Sequence, residues 1–335
     1  MVRTNLSQQK LTRRDFIKIC AVAGGVLAGG SLLRFTLKPK GVTVRDTRLL
    51  MGTIIDITLV AETSQLGQAA VNAAFAEMER LTQVFDYRQA DSELGRLNRN
   101  GKIERATADL ISLLQKSRNY SDISQGAFDV TVLPVLAAYQ AGRSIRPDDL
   151  ALINYRNLDI QGEQVAFKVP GMQVTLDGIA KGRVVDNGVR TLKSLGFENV
   201  LVEAGGDLLA DGAHPDGSQW DIGVSNPRPS TNGQWLATLH VNDQAIATSG
   251  DYMHTFTSDY SLNHIIDPRT GLSPAELSSA SVIAPTVTDA DALATTLMVL
   301  GVADGLALVE RLAGIEALVA TKALRVYRSS GFPSA

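Results

Sequence analysis

From position 51 the chain alternates apolar and polar residues through "MGTIIDITLVA", the two-residue period of a half-buried strand. The pattern then changes period. "SQLGQAAVNAAFAEMERLTQVF" places apolar residues at helical spacing, with Ser64 as the expected cap. A second helix is predicted through "ATADLISLLQKSRNYSDIS", after which Gly126 leads into "AFDVTVLPVLAAY". "VTLDGIAKGRVVDNGVRTLKSLGF" reads as a strand, a tight loop and a helix. "ENVLVEAGGDLLADG" reads as a strand that breaks at two glycines. "WDIGVSNP", "WLATLHVNDQAIATSGD", "NHIIDP" and "SASVIAP" read as further strands, followed by a helix pair over 288–313 and a terminal hairpin in "EALVATKALRVYRSSGF". Strands and helices mix without strict βαβ alternation. That predicts an α+β fold with a largely antiparallel sheet and packed helices, a single domain over 41–330.

The first forty residues break with this pattern. "LTRRDFIK" precedes the Gly-rich apolar run Ile19–Leu33, which looks like a twin-arginine export signal. Its fifteen residues fall short of the ~20 that a spanning helix needs. Ala28-Gly29-Gly30 is a weak cleavage site, so both removal and retention as an N-terminal membrane tether stay open. Cys20 does not make a lipoprotein site, because Lys18 stands where a small residue is required. Export predicts a periplasmic protein, or one held on the periplasmic face of the inner membrane.

Charge divides the chain at the same boundary. The 335 residues carry −3, whereas residues 1–40 hold eight Lys/Arg and one Asp, so the body carries −10. An acidic body argues against nucleic acid as a partner. Cys20 is the only cysteine, which leaves the body without a disulfide or a thiolate metal site.

Candidate chemistry centres on "TDADALATTL", residues 288–297. Thr288 with Asp291 three residues on has the spacing of a capping box. Asp291 and Thr295, four apart, lie on one helical face, and a carboxylate beside a hydroxyl also suits a hard cation such as Mg²⁺. Gly-containing loops recur beside acids and small hydroxyl residues: "DGIAKG" (177–182), "AGGD" (204–207), "TSGD" (248–251) and "HIIDPRTG" (264–271). Glycine there lets backbone amides approach phosphate, and a helix N-terminus adds its dipole, although each loop alone also reads as a plain turn. No P-loop and no GxGxxG after the first strand is present. Lys181, at a helix start, is either a phosphate-neutralising cation or a solvated lysine. His264 is either a structural strand-end histidine or a base beside a phosphate-accepting loop.

"MGT" at 51, "SELGRLN" at 92, "GAFDVT" at 126, "DGIAKG" at 177, "AGGDL" at 204, "ATSGDY" at 247, "HIIDPRTG" at 264 and "DADALAT" at 289 occur in this order. The set resembles the ApbE family of FAD:protein FMN transferases and covers the body from about 45 to 325. The resemblance implies a T-fold-like α+β domain that takes FAD and Mg²⁺. It implies transfer of the FMN half of FAD to a Ser or Thr hydroxyl of an acceptor redox protein, with release of AMP. It implies a metal held by the Ala180 carbonyl, Asp291 and Thr295, and a flavin nucleotide lined by Met51, Phe128, Asp129, Asp177, Lys181, Arg183 and the backbone near Ile265. His264 would be the catalytic base. Two positions depart from the family pattern. Thr175-Leu176-Asp177-Gly178 stands where many members have Asp-Leu-Gly-Gly, and Arg183 stands where an aromatic often follows Lys-Gly. An FAD pyrophosphatase and a non-catalytic flavin-binding or electron-carrier protein are the rival readings.

Overall fold

The computed structural model describes residues 41–228 and 235–333; the segment read as an export signal lies outside the described residues. In chain order the body begins with strands β1 (Val42–Leu50) and β2 (Thr53–Ala61) and helices α1 (Ser64–Phe85) and α2 (Glu93–Asn100). The short β3 (Lys102–Ile103), helices α3 (Ala108–Ile123), α4 (Leu133–Gln140) and α5 (Pro147–Ala151), and strands β4 (Leu158–Gln161) and β5 (Gln164–Phe167) follow. Then come α6 (Ala180–Ser194), β6 (Val200–Ala204), β7 (Asp207–Asp211), β8 (Trp220–Ser225), β9 (Trp235–Val241), β10 (Gln244–Gly250) and β11 (Leu277–Ala284). Helix α7 (Val287–Val309) and the hairpin β12 (Glu316–Thr321) and β13 (Val326–Arg328) close the chain.

Eight strands form one sheet in the order β1-β2-β6-β7-β10-β11-β12-β13, and every neighbouring pair is antiparallel. One face carries α1, α6 and α7. The alternation of β2 meets this face with Ile55, Ile57, Leu59 and Ala61, which join Phe75, Met78, Val185 and Leu192 in the main core. A second core lies on the opposite face of the central strands, where Leu208, Ile246, Ile283 and Leu318 pack on Trp220, Ile222 and Leu239 of the β8–β9 ribbon. Strands covered on both faces lose their alternation. Accordingly β11 is buried at every position.

Helix α7 is apolar nearly all round and long enough to cross a membrane by composition, but most of it is buried inside the fold. A helix of that kind is a core helix. It breaks at Gly301, whose φ of 79° only glycine adopts without strain. That break gives the predicted helix pair.

Four sequence expectations change. Thr63, not Ser64, caps α1. Thr286, not Thr288, caps α7: its hydroxyl accepts from the Asp289 amide and donates to the Asp289 carboxylate. The helix starts earlier because Asp186 of α6 accepts from the amides of Val287 and Thr288 and from the Thr288 hydroxyl, which satisfies donors that the helix itself leaves open. "VTLD" is not a strand. Its Val174 amide donates to the Asn98 side chain and its Thr175 amide to the Val130 carbonyl, in place of a ladder. "NHIIDP" is not a strand either: Asn263 and Asp267 accept from the amides of Ile265 and Arg269, the local bonds of turns.

Candidate functional site

The site is built where the N-terminus of α6 abuts the first turns of α7. Two glycines permit this approach. A Cβ on Gly182 would run into the Val287 carbonyl, and one on Gly178 would sit 3.0 Å from Thr295 Oγ1 and 3.3 Å from the Phe128 ring. The two helices cap each other. Asp186 of α6 caps α7, while α6 has no side-chain cap of its own and its Gly182 amide donates to Asp291 Oδ2 at 3.0 Å. Of the two readings of "TDADALATTL", capping takes a different form: Asp291 does cap a helix, but the neighbouring one. Thr295, one turn on, faces the same junction and shares a 3.2 Å hydroxyl contact with Ser249 of β10.

Around this junction lies an excess of buried negative charge. Asp291 is 3% exposed and Asp207, at the start of β7, 1% exposed. Lys181 Nζ sits 2.5 Å from Asp207 Oδ2, while Asp207 Oδ1 is buried without a partner among the described residues. Burial opposes the charge on Lys181, but Asp207, Asp291 and Glu203 outweigh it and hold the ammonium above its ordinary value. Burial pushes Asp207 upward, with Lys181 resisting. Burial and then the Asp207 charge push Asp291 well above the usual carboxylate range, against Lys181 and the Gly182 amide. Glu203 of β6 is pushed up to about 7, first by burial, although it accepts from the Gly206 amide at 2.7 Å. Three acids thus share one lysine.

A third wall is the loop from Asp251 to Asp267. It carries His254 and His264, whose rings meet edge-on with centroids 5.2 Å apart. His264 Nδ1 lies 3.3 Å from the His254 carbonyl. A carbonyl only accepts, so Nδ1 carries the proton and Nε2 is left as the basic nitrogen. Burial, and then His254, push His264 down to about 4, so the ring is neutral at pH 7. The loop is anchored at its root: Asp251, fully buried, takes both nitrogens of Arg228 at 2.8 and 2.9 Å. Tyr252 packs beneath it against Gly250.

The predicted residues separate into three groups. Ala180, Lys181, Asp291 and Thr295 converge on the junction, with Asp177 near enough for its charge to act on Asp291 and on the His264 ring. Phe128 is buried against the Gly178–Thr295 contact. Met51 occupies the β1–β2 turn at φ 52°, at the sheet end where Thr53 touches Gly205. Ile265 is buried, its amide committed to Asn263. Asp129 and Arg183 have other partners. Asp129 accepts from Thr131 and from the Tyr155 amide, and so ties down the turn after Phe128. Arg183 turns to the far side of α6 and donates to Ser112 of α3 at 3.0 Å. Asp177 is gripped at both oxygens by Arg88, at 2.9 and 2.6 Å.

Arg88, Glu203, His254 and Arg228 were not singled out from the sequence, and Asp207 and Asp251 entered only as the acids of the "AGGD" and "TSGD" loops, without a role of their own. Glu203 and Asp207 carried a signal, since each is an acid within the otherwise apolar run "VLVEAGGDLLA". Arg88 and His254 carried none.

The donor set fits a hard divalent cation. Asp291, the Thr295 hydroxyl and the Ala180 carbonyl are oxygen donors, and the surplus of buried carboxylates, with one oxygen of Asp207 orphaned, favours positive charge. No trio of His, Cys, Asp or Glu side chains gathers with metal-ligand geometry among the described residues. Such an ion would rely on neutral oxygens and on phosphate, as Mg²⁺ commonly does.

Residues 51–319 match the ApbE family. The chain is 33% identical over 279 residues to the FAD:protein FMN transferase of Vibrio cholerae, covering 78% of this chain and 82% of that one. Two solved structures superimpose on the fold. The flavin transferase ApbE from Vibrio cholerae does so with a TM-score of 0.75 and 30% identity, over 87% of this chain and 98% of that one. The apo flavinyl transferase ApbE of Pseudomonas stutzeri does so with a TM-score of 0.75 and 28% identity, over 87% and 96%.

Proposed function

We infer the activity from one premise, that this chain belongs to the ApbE family: it is a transferase that moves the FMN half of FAD to a Ser or Thr hydroxyl of an acceptor redox protein and releases AMP. The observation that carries this reading is the meeting of Lys181, Asp291, Thr295 and His264 around the N-terminus of α6. A helix N-terminus beside a lysine is suited to a diphosphate. Asp291 and Thr295, with the Ala180 carbonyl, would hold Mg²⁺, which neutralises charge on the diphosphate and on the leaving phosphate.

In this reading the acceptor hydroxyl attacks the phosphorus of the FMN half. The P–O bond to AMP breaks, and AMP leaves with the electron pair. Nε2 of His264 takes the hydroxyl proton, a role its neutral state and its Nδ1 bond to the His254 carbonyl both support. Asp177 is the alternative base; in this structure both its oxygens accept from Arg88. The Arg228–Asp251 pair holds the root of the histidine loop, and Gly178 and Gly182 let the two helix ends close on the substrate. The N-terminal "TRRDFIK" supports export by the twin-arginine route, which would place the reaction on the periplasmic side, with or without a membrane tether.

The test is AMP release from FAD and Mg²⁺ with and without an acceptor. AMP formed only with acceptor supports the transferase. Equal AMP without it makes the protein an FAD pyrophosphatase, and FAD binding with no AMP makes it a flavin carrier.

A further inference from the structure

We propose that Arg88 is an exchangeable phosphate ligand of this site: it pairs with Asp177 in the substrate-free protein and moves to a phosphate oxygen of the dinucleotide when that substrate is present. The inference rests on the functional reading above and deepens it.

The argument starts from which cation is able to move. Lys181 is the cation closest to the acids, but its Nζ is held by the buried Asp207 at 2.5 Å. Pulling it away would leave a second oxygen of Asp207 unpaired in the interior, beside the one already orphaned. Arg88 is differently placed. It lies in the turn between α1 and α2, its side chain 54% exposed and that of Asp177 34% exposed. Open to solvent at both ends, this pair is less costly to separate than the buried Lys181–Asp207 pair.

The guanidinium is also pre-oriented. Its centre lies 4.3 Å above the Tyr87 ring, which restricts it to a narrow arc. Asp86 is 3.5 Å away, but that carboxylate also accepts from the Arg88 amide and from Gln89, so it does not depend on the guanidinium. Asp177, once released, remains open to water, its side chain 34% exposed. Asp177 directly precedes Gly178, whose Cβ position lies 3.0 Å from Thr295 Oγ1, so the pair sits at the rim of the same site. A phosphate oxygen there offers a planar fork a bidentate partner with more charge than a carboxylate.

Flavin-fluorescence titration of the full-length protein tests this, with FAD, FMN and riboflavin as probes and melting temperatures to check the fold. Arg88→Ala should weaken FAD and FMN by about 10–100-fold, the loss of charge-assisted hydrogen bonds, and leave riboflavin, which has no phosphate, unchanged. Arg88→Lys should recover part of the loss. Asp177→Asn, which frees Arg88, should bind FAD as tightly as the parent or more tightly. Parent-like FAD affinity in Arg88→Ala would overturn the proposal. So would an equal loss for riboflavin, or an Asp177→Asn defect as large as that of Arg88→Ala, since either makes the pair a structural staple. A parent protein that binds no FAD would overturn the functional reading and the role of Arg88 with it.

Discussion

Replacing Glu203 by Gln removes a negative charge while keeping an acceptor for the Gly206 amide. The carboxyl titrates at about 7 in the fold against an ordinary value of 4.5. Burial is the leading cause, Asp56 and Asp207 add repulsion, and the Gly206 amide and Lys181 oppose them. Because the folded value lies above the unfolded one, the protonated form favours folding. Its contribution is complete below about 4.5 and is lost as pH rises through about 7. A displacement of that size corresponds to roughly 3 kcal/mol. Glu203 is half-buried rather than sealed, so water reduces the figure to on the order of 1–3 kcal/mol. Urea unfolding of parent and Glu203→Gln between pH 4.5 and 8.5 measures it. The difference should grow in favour of the variant up to about pH 7 and then stay level. Parallel stability profiles, or a variant less stable than the parent at pH 8, would refute the reasoning.

Asp291→Asn should leave the metal-free protein at least as stable as the parent, since a buried like charge beside Asp207 is lost and the Gly182 amide keeps an acceptor. Saturating Mg²⁺ should raise the melting temperature of the parent, a gain of about 2.7 kcal/mol at a hundredfold excess over Kd, but not that of the variant; equal gains would remove Asp291 from the metal site. Lys181→Met should cost on the order of 3–5 kcal/mol by stranding Asp207, and adding Asp207→Asn should restore most of it in thermal melts. An unchanged melting temperature in the single variant would show that the pair is not needed. Arg13→Lys with Arg14→Lys should retain the protein in the cytoplasm on fractionation, and normal delivery would refute the twin-arginine reading.

The antiparallel sheet was legible because β2 alternates against one core. The helix pair over 288–313 was legible as helix, but that most of it is buried inside the fold was not read from the sequence. What misled were local patterns whose backbone bonds go elsewhere. "VTLD" and "NHIIDP" alternate like strands, yet their amides are taken by Asn98, Val130 and Asn263. The cap of α7 was displaced for the same reason, by an aspartate 101 residues away. Asp291 and Thr295 could be paired from the sequence because they share a helical face. The charge balance could not be read from it, because Glu203, Asp207 and Lys181 come from separate elements whose pairing only the fold decides. Arg88 was invisible on two counts: it is an ordinary surface arginine in the sequence, and its partner Asp177 is 89 residues on.

The most direct measurement is covalent flavin on an acceptor. Purified protein, FAD, Mg²⁺ and a redox protein carrying one accessible Ser or Thr site are incubated, and flavin fluorescence of the denatured acceptor is read alongside AMP. The account predicts equal amounts of bound flavin and AMP, none on an acceptor whose hydroxyl residue is replaced by Ala, and a rate reduced about 10²–10⁴-fold in His264→Ala with FAD affinity retained. AMP without bound flavin, or bound flavin at the parent rate in His264→Ala, would contradict it.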